Sequence, residues 1–119
     1  MKDFRQLKVW EKAHQLALDI YKASAIFPKE ELYGLTSQIR RASMSIPTNI
    51  AEGCGRNTDP DFARFLQIAM GSASETEYQL ILTHDLGFIS REKYEKLQND
   101  VEEVKRMLAS LLKTIRTKS

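Results

Sequence analysis

The densest set of chemistry-bearing side chains lies between Gln38 and Arg56, in the stretch QIRRASMSIPTNIAEGCGR. Laid on a 3.6-residue helix, Gln38, Arg41, Ser45, Asn49 and Glu52 fall three or four residues apart on one face. Leu35, Ile39, Ala42, Ile46 and Ile50 form the apolar stripe beside them. Two uses fit such a row. Turned toward a neighbouring helix, it would make a polar network, with Glu75 and Gln79 opposite Arg41 and Asn49. Networks of that kind fix helix register more than they add stability. Turned outward, it would offer Arg40, Arg41 and Arg56 to another subunit or to nucleic-acid phosphates. Gln38, Ser45, Thr48 and Asn49 would then supply further phosphate or base contacts.

Catalytic constellations are not evident. His14 and His84 belong to different segments, and neither starts a metal-ligand spacing. Glu11-Lys12-Ala13-His14 has the Glu-x-x-His spacing of di-iron bundles, but such a site needs a second copy. No Gly-x-Ser-x-Gly elbow, phosphate-binding glycine loop or dinucleotide fingerprint occurs. The expectation is a non-enzymatic protein with no metal and no cofactor. Cys54 is the one cysteine, so an intrachain disulfide and a thiolate cluster are both excluded. Bracketed by Gly53 and Gly55, it reads as a small residue at a helix stop.

Charge is informative in its distribution. Eighteen basic against sixteen acidic residues leave only +2, weak evidence for a polyanionic partner. Residues 57–90 carry Asp59, Asp61, Glu75, Glu77 and Asp85 against Arg64 alone. The last fifteen residues carry Lys105, Arg106, Lys113, Arg116 and Lys118 with no acid. Bases near a helix C-terminus complement its dipole, which suffices to explain them. The other reading is a patch in which Lys105, Arg106, Lys113 and Arg116 meet phosphates or the acidic third helix of another subunit.

These side chains must be positioned by helices, because no segment alternates with period two. At 119 residues, 42% hydrophobic and 29% charged, the chain fits one ordered domain over residues 1–119. Helices are expected at about residues 4–26, 32–53, 60–86 and 91–117. In the first, Leu7, Trp10, His14, Ala17, Tyr21 and Ser24 make one stripe and Val9, Ala13, Leu16 and Ile20 an adjacent one, so it should contact two neighbours. Phe27-Pro28 closes it. Asp59 as N-cap and Pro60 at the first helical position open the third helix. Its middle, Ala69 to Ser74, is small enough to let another helix backbone approach, and Gly87 ends it. Ser90 caps the fourth, whose Tyr94, Leu97, Val101, Val104, Leu108, Leu111 and Ile115 form a coiled-coil-like seam. Pro47 should kink the second helix without breaking it, at a cost of about 3 kcal/mol. Short connections favour an all-α, up-down-up-down antiparallel four-helix bundle. No apolar run approaches the roughly 20 residues of a membrane span, and the charged N-terminus lacks a secretion signal's apolar core, so a cytoplasmic location is expected.

Several motifs carry a family resemblance jointly. They are Leu7-Lys8-Val9-Trp10 with Ala13-His14, Gln38 through Ser43, Ser45-Ile46-Pro47, and Asn49 through Gly53. Phe65-Leu66, Ala69, Gly71-Ser72 and Glu75 continue the pattern. With these the chain resembles the bacterial 23S rRNA intervening-sequence proteins, also called the S23 ribosomal protein family. The resemblance implies a four-helix bundle that assembles as a homopentamer. A related, more divergent group, the accessory bundles of diversity-generating retroelements, binds nucleic acid and a reverse transcriptase. The resemblance therefore implies RNA or DNA, and a nucleic-acid-processing protein, as partners. A protein–protein scaffold with no nucleic-acid contact is the competing expectation. Gly71 to Ser74 and the aromatics Phe62, Phe65 and Tyr78, expected to be exposed, are candidates for packing within or between subunits.

Overall fold

The structure is a computed structural model that describes residues 2–117. Among the described residues there are four α-helices, α1 (Lys8–Ser24), α2 (Leu35–Cys54), α3 (Asp59–Asp85) and α4 (Arg91–Thr117), with no strand. Short 3-10 turns at Phe4–Gln6 and Lys29–Glu31 precede α1 and α2. Each helix packs on its sequence neighbours and α4 returns to α1, while the backbones of the diagonal pairs stay apart across the core. Cross-helix contacts run in opposite senses. Lys96 reaches Asp19 while Lys12 reaches Glu103, and Arg41 reaches Glu75 while Ser45 reaches Ser72. The result is an up-down-up-down antiparallel bundle 47 Å long and 23 × 20 Å across, as 27-residue helices rising about 1.5 Å per residue require.

The apolar stripes become the core. Val9, Ala13, Leu16 and Ile20 of α1 meet Ile39, Ile46 and Ile50 of α2, Phe62, Leu66, Ala69, Ala73 and Leu80 of α3, and Leu97, Val101, Val104 and Leu108 of α4. Phe62 and Phe65 are buried in it, so only Tyr78 of the three aromatics marked for packing is exposed. The small run in α3 also divides. Ala69 and Ala73 are buried, whereas a Cβ on Gly71 would meet nothing within 4 Å. The close helix approach occurs instead at Gly53, where a Cβ would sit 2.9 Å from the Phe62 ring and 3.0 Å from Phe65 Cβ.

Helix ends differ from the periodicity-based bounds for local reasons. The chain is extended at Leu7, so α1 starts at Lys8 rather than Phe4, after a turn in which Asp3 accepts from the Arg5 N–H at 3.0 Å. α1 stops at Ser24 rather than residue 26, because Phe27 swings into the core and meets Phe88 at 5.9 Å between ring centres. Glu31 Oε1 accepts from the Leu35 N–H at 3.2 Å, which delays the start of α2 from residue 32 to Leu35. α2 runs through the buried Pro47 without a break. The α3 N-cap is Thr58, not Asp59. Its Oγ1 accepts from the Asp61 N–H at 3.3 Å, and Pro60 lies within the first turn. Thr58→Ala should therefore cost about 1 kcal/mol, read as a lower thermal midpoint with unchanged helix content. At the other end of α3, Gly87 takes φ +80°, with Gly87 N–H on His84 O at 2.9 Å and Phe88 N–H on Thr83 O at 3.0 Å. This paired closure satisfies the last carbonyls of the helix and needs a residue tolerant of positive φ. Ser90 Oγ accepts from the Lys93 N–H at 3.2 Å, opening α4.

Candidate nucleic-acid interface

The polar row of α2 lies along its seam with α3. Arg41 donates to Glu75 at 3.2 Å and to Gln38 at 3.0 Å, and Gln79 donates to the same Glu75 carboxylate at 3.4 Å. The Ser72 hydroxyl donates to Ser45 Oγ at 3.0 Å. Asn49 does not reach Glu75 or Gln79. It donates instead to the Ser45 carbonyl at 2.8 Å and the Ser45 hydroxyl at 3.0 Å. The antiparallel register explains this. With Arg41 level with Glu75 and Ser45 level with Ser72, Asn49 lies two turns beyond Glu75's partner. Glu52 pairs with Arg56, just past the end of α2, at 3.3 Å. The row is thus an inter-helix network with an exposed rim, and the Arg41–Glu75 pair is exposed enough to contribute at most about 1 kcal/mol.

The basic candidates separate into those engaged by the fold and those that are not. Arg40 donates to Ser24 Oγ at 2.7 Å and to the Tyr21 carbonyl at 3.3 Å, with its guanidinium 4.9 Å from the Tyr21 ring centre. It ties α2 to the last turn of α1, where a cation is favoured by the helix dipole. Lys105 pairs with Glu77 at 2.9 Å, joining α4 to α3. Arg56 and Arg64 each sit 4.6 Å from the centre of the Phe65 ring, and Arg64 also pairs with Asp61 at 3.4 Å. Arg116 shares a cleft with Asp59, Pro60, Ala63 and Arg64, and donates to the Gln67 amide oxygen at 2.9 Å, in the amide orientation its neighbours require. Arg106 and Lys113 are exposed and make no ion pair among the described residues. Seven residues apart, they share one stripe of α4 with Ser110 and Thr117.

The bundle therefore brings Arg56, Arg64 and Arg116 to the end formed by the α2–α3 turn and the last turn of α4. Lys2 joins them, with its ammonium 4.8 Å from the Phe62 ring centre and its N–H on the Cys54 carbonyl at 3.2 Å. Arg40 and Arg41 lie toward the opposite end. Arg64 was not among the sequence candidates, being the lone base of an acidic segment. Only the pairing of the α3 start with the α4 end reveals its place.

Other side chains serve packing. His14 stacks on Trp10 and His84 on Tyr94, at ring separations of 5.0 and 4.3 Å. Among the described residues, no group of three or more His, Cys, Asp or Glu is placed to hold a metal. No helix is long and apolar enough to cross a membrane. Cys54 is buried, and desolvation holds its thiol above the usual 9.0. Alkylation should consequently be negligible in the folded protein and rapid in denaturant, as mass spectrometry after iodoacetamide would show.

Open concavities lie along two of the helix seams. A groove of about 710 Å³ between α1 and α2 is lined by Trp10, His14, Leu18, Tyr21, Met44 and Pro47. A depression of about 450 Å³ between α3 and α4 is lined by Tyr78, Ile81 and Tyr94 and rimmed by Glu77, Glu95 and Glu102.

Comparison with known proteins agrees with this architecture. The sequence profile of the 23S rRNA-intervening sequence proteins matches residues 5–110. The fold is similar to the 1.70 Å crystal structure of a protein of unknown function from the S23 ribosomal protein family of Bacteroides thetaiotaomicron. The TM-score is 0.82 at 34% identity, over 88% of this chain and 95% of that one. No functionally curated protein matches the chain.

Proposed function

The chain belongs to the 23S rRNA-intervening sequence protein family, and from that premise we propose that it is a non-enzymatic, cytoplasmic bundle that self-associates, as a homopentamer, and binds structured RNA or DNA. A nucleic-acid-processing protein is the partner that this reading adds. One observation carries the binding surface. The C-terminal half of α4 presents Arg106 and Lys113 on one exposed stripe without ion-pair partners among the described residues. That stripe runs toward the bundle end where Arg56, Arg64 and Arg116 gather. A single copy offers little net field, but several copies with these ends on one side would concentrate it.

The test compares two variants in binding to hairpin RNA, duplex RNA and duplex DNA. Arg106→Glu with Lys113→Glu should weaken binding at least tenfold while leaving the assembled mass unchanged. Lys105→Gln should leave affinity within about twofold, because Lys105 is spent on Glu77. Unchanged binding by the double reversal would overturn the α4 surface.

A scaffold without nucleic-acid contact is the second reading, favoured by a specific observation. Arg40, Arg41, Arg56 and Lys105 are all engaged within the chain, which removes four of the seven candidate bases from easy use. An assembled protein that binds none of the three probes at low salt would support it.

A further inference from the structure

The Lys12–Glu103 ion pair, at 3.3 Å, fixes how α1 and α4 stand beside each other. The Lys96–Asp19 pair at 3.6 Å keeps the same antiparallel register further along. Glu11 and Glu102, chain neighbours of Lys12 and Glu103, therefore lie at one level of the bundle. Both are exposed and make no ion pair among the described residues. One turn nearer the end of α4 the sign changes. Lys8 lies with Met107 along the α1/α4 seam, Arg106 follows Glu102, and Lys113 continues the outer row of α4. These three bases are exposed and also without ion pairs among the described residues. In the other direction the outer row runs through Asn99, Glu95 and Glu92, with Glu95 paired to Arg91 at 3.1 Å.

Helix design does not account for this boundary. The helix dipole acts on the first and last turns, and Glu102 and Arg106 lie well inside α4. Lys8 is the first residue of α1, where the dipole disfavours a cation. A change of sign shared by two helices at one level suits a polyanion that is held by the bases and turned away by the acids.

We propose that the nucleic acid lies across the C-terminal half of α4 rather than along the helix, from Lys8 over Arg106 and Lys113, and that Glu11 and Glu102 set its limit. The inference rests on the nucleic-acid reading above. It adds Lys8 as a contact and the two acids as positioning residues. A strand or duplex that followed the length of α4 would have to pass Glu102, Glu95 and Glu92 against carboxylate–phosphate repulsion. Crossing the helix, it leaves toward the bundle end, where Arg64 and Arg116 share a cleft with Asp59.

The test is hairpin RNA binding by the full-length chain near physiological salt, with three single neutralisations. Lys8→Gln should weaken binding about threefold or more and lower the salt slope by roughly 0.7–0.9, the share of one phosphate contact. Glu102→Gln, beside the limit of the site, should strengthen binding by about threefold. Glu92→Gln lies about 15 Å further along α4, beyond the roughly 8 Å screening length, and should bind as wild type does. All three side chains are exposed, so helical circular dichroism and assembled mass should not change. An inert Lys8→Gln would overturn the inference. Equal gains from Glu92→Gln and Glu102→Gln would do the same, because they mark a ligand that runs along α4. Weaker binding by Glu102→Gln would also refute it. Any of these results leaves the α4 bases to be judged by Arg106→Glu with Lys113→Glu. A wild type that binds no hairpin at low salt removes both this inference and the reading beneath it.

Discussion

Phe62→Ala is expected to lower the unfolding free energy by about 3–5 kcal/mol. Phe62 is among the largest fully buried side chains, 2% exposed. Its ring fills the space that Gly53 leaves open between α2 and α3, with the Lys2 ammonium beyond it. Truncation removes the buried ring and leaves a cavity that the helices can close only by moving together, which the rest of the interface resists. Domains of this size are stable by about 5–15 kcal/mol, so the loss is a large part of the margin. Urea unfolding should show a lower midpoint at an unchanged slope. A midpoint within error of wild type would mean that the α2–α3 contact is not packed around this ring.

The second large effect is a contrast of sign between two helical glycines. Gly53→Ala should destabilise by about 1–3 kcal/mol, because the new methyl falls 2.9 Å from the Phe62 ring, 3.0 Å from Phe65 Cβ and 3.3 Å from the Phe62 carbonyl. The ring edge can give a little, but Phe65 Cβ and the backbone oxygen can move only if the helix moves. Gly71→Ala adds its methyl where nothing lies within 4 Å. There only the backbone preference remains, and alanine should stabilise by about 0.5–1 kcal/mol. Thermal melts of the two variants beside wild type read the sign directly. Stabilisation at both positions would remove the close approach from residue 53.

The core was legible in the sequence where helical period alone decides burial. Val9, Ala13, Leu16 and Ile20 are buried as their stripe requires, and so are Leu97, Val101, Val104 and Leu108 of the α4 seam. Toward the end of α4 the seam drifts. Leu112 is buried while Leu111 is only half-buried, as a straight 3.6-residue helix departs from a seven-residue repeat. The other α1 stripe, with Trp10, His14 and Tyr21, is instead the wall of an open groove, because α2 covers only part of it. Whether Gly71 or Gly53 faces a neighbouring helix was not legible, since both follow from how α2 and α3 are offset along their axes. The same offset decides that Arg41 meets Glu75 while Asn49 turns back to Ser45. Candidate bases were legible by type only. Which of them the fold engages depends on partners 16 to 34 residues distant, such as Ser24 for Arg40 and Glu75 for Arg41.

Binding of nucleic-acid phosphates by the exposed α4 bases of the assembled protein is the core of the proposed function. It is tested most directly by the affinity of the wild-type protein for hairpin RNA across a salt series, with the assembled mass followed by light scattering. Binding through phosphates displaces condensed counterions, so the logarithm of the affinity should fall linearly with that of salt, by roughly 0.7–0.9 per phosphate contacted. A steep fall with the assembly intact is the predicted result. Absence of binding at low salt by a fully assembled protein, or an affinity indifferent to salt, would contradict the account.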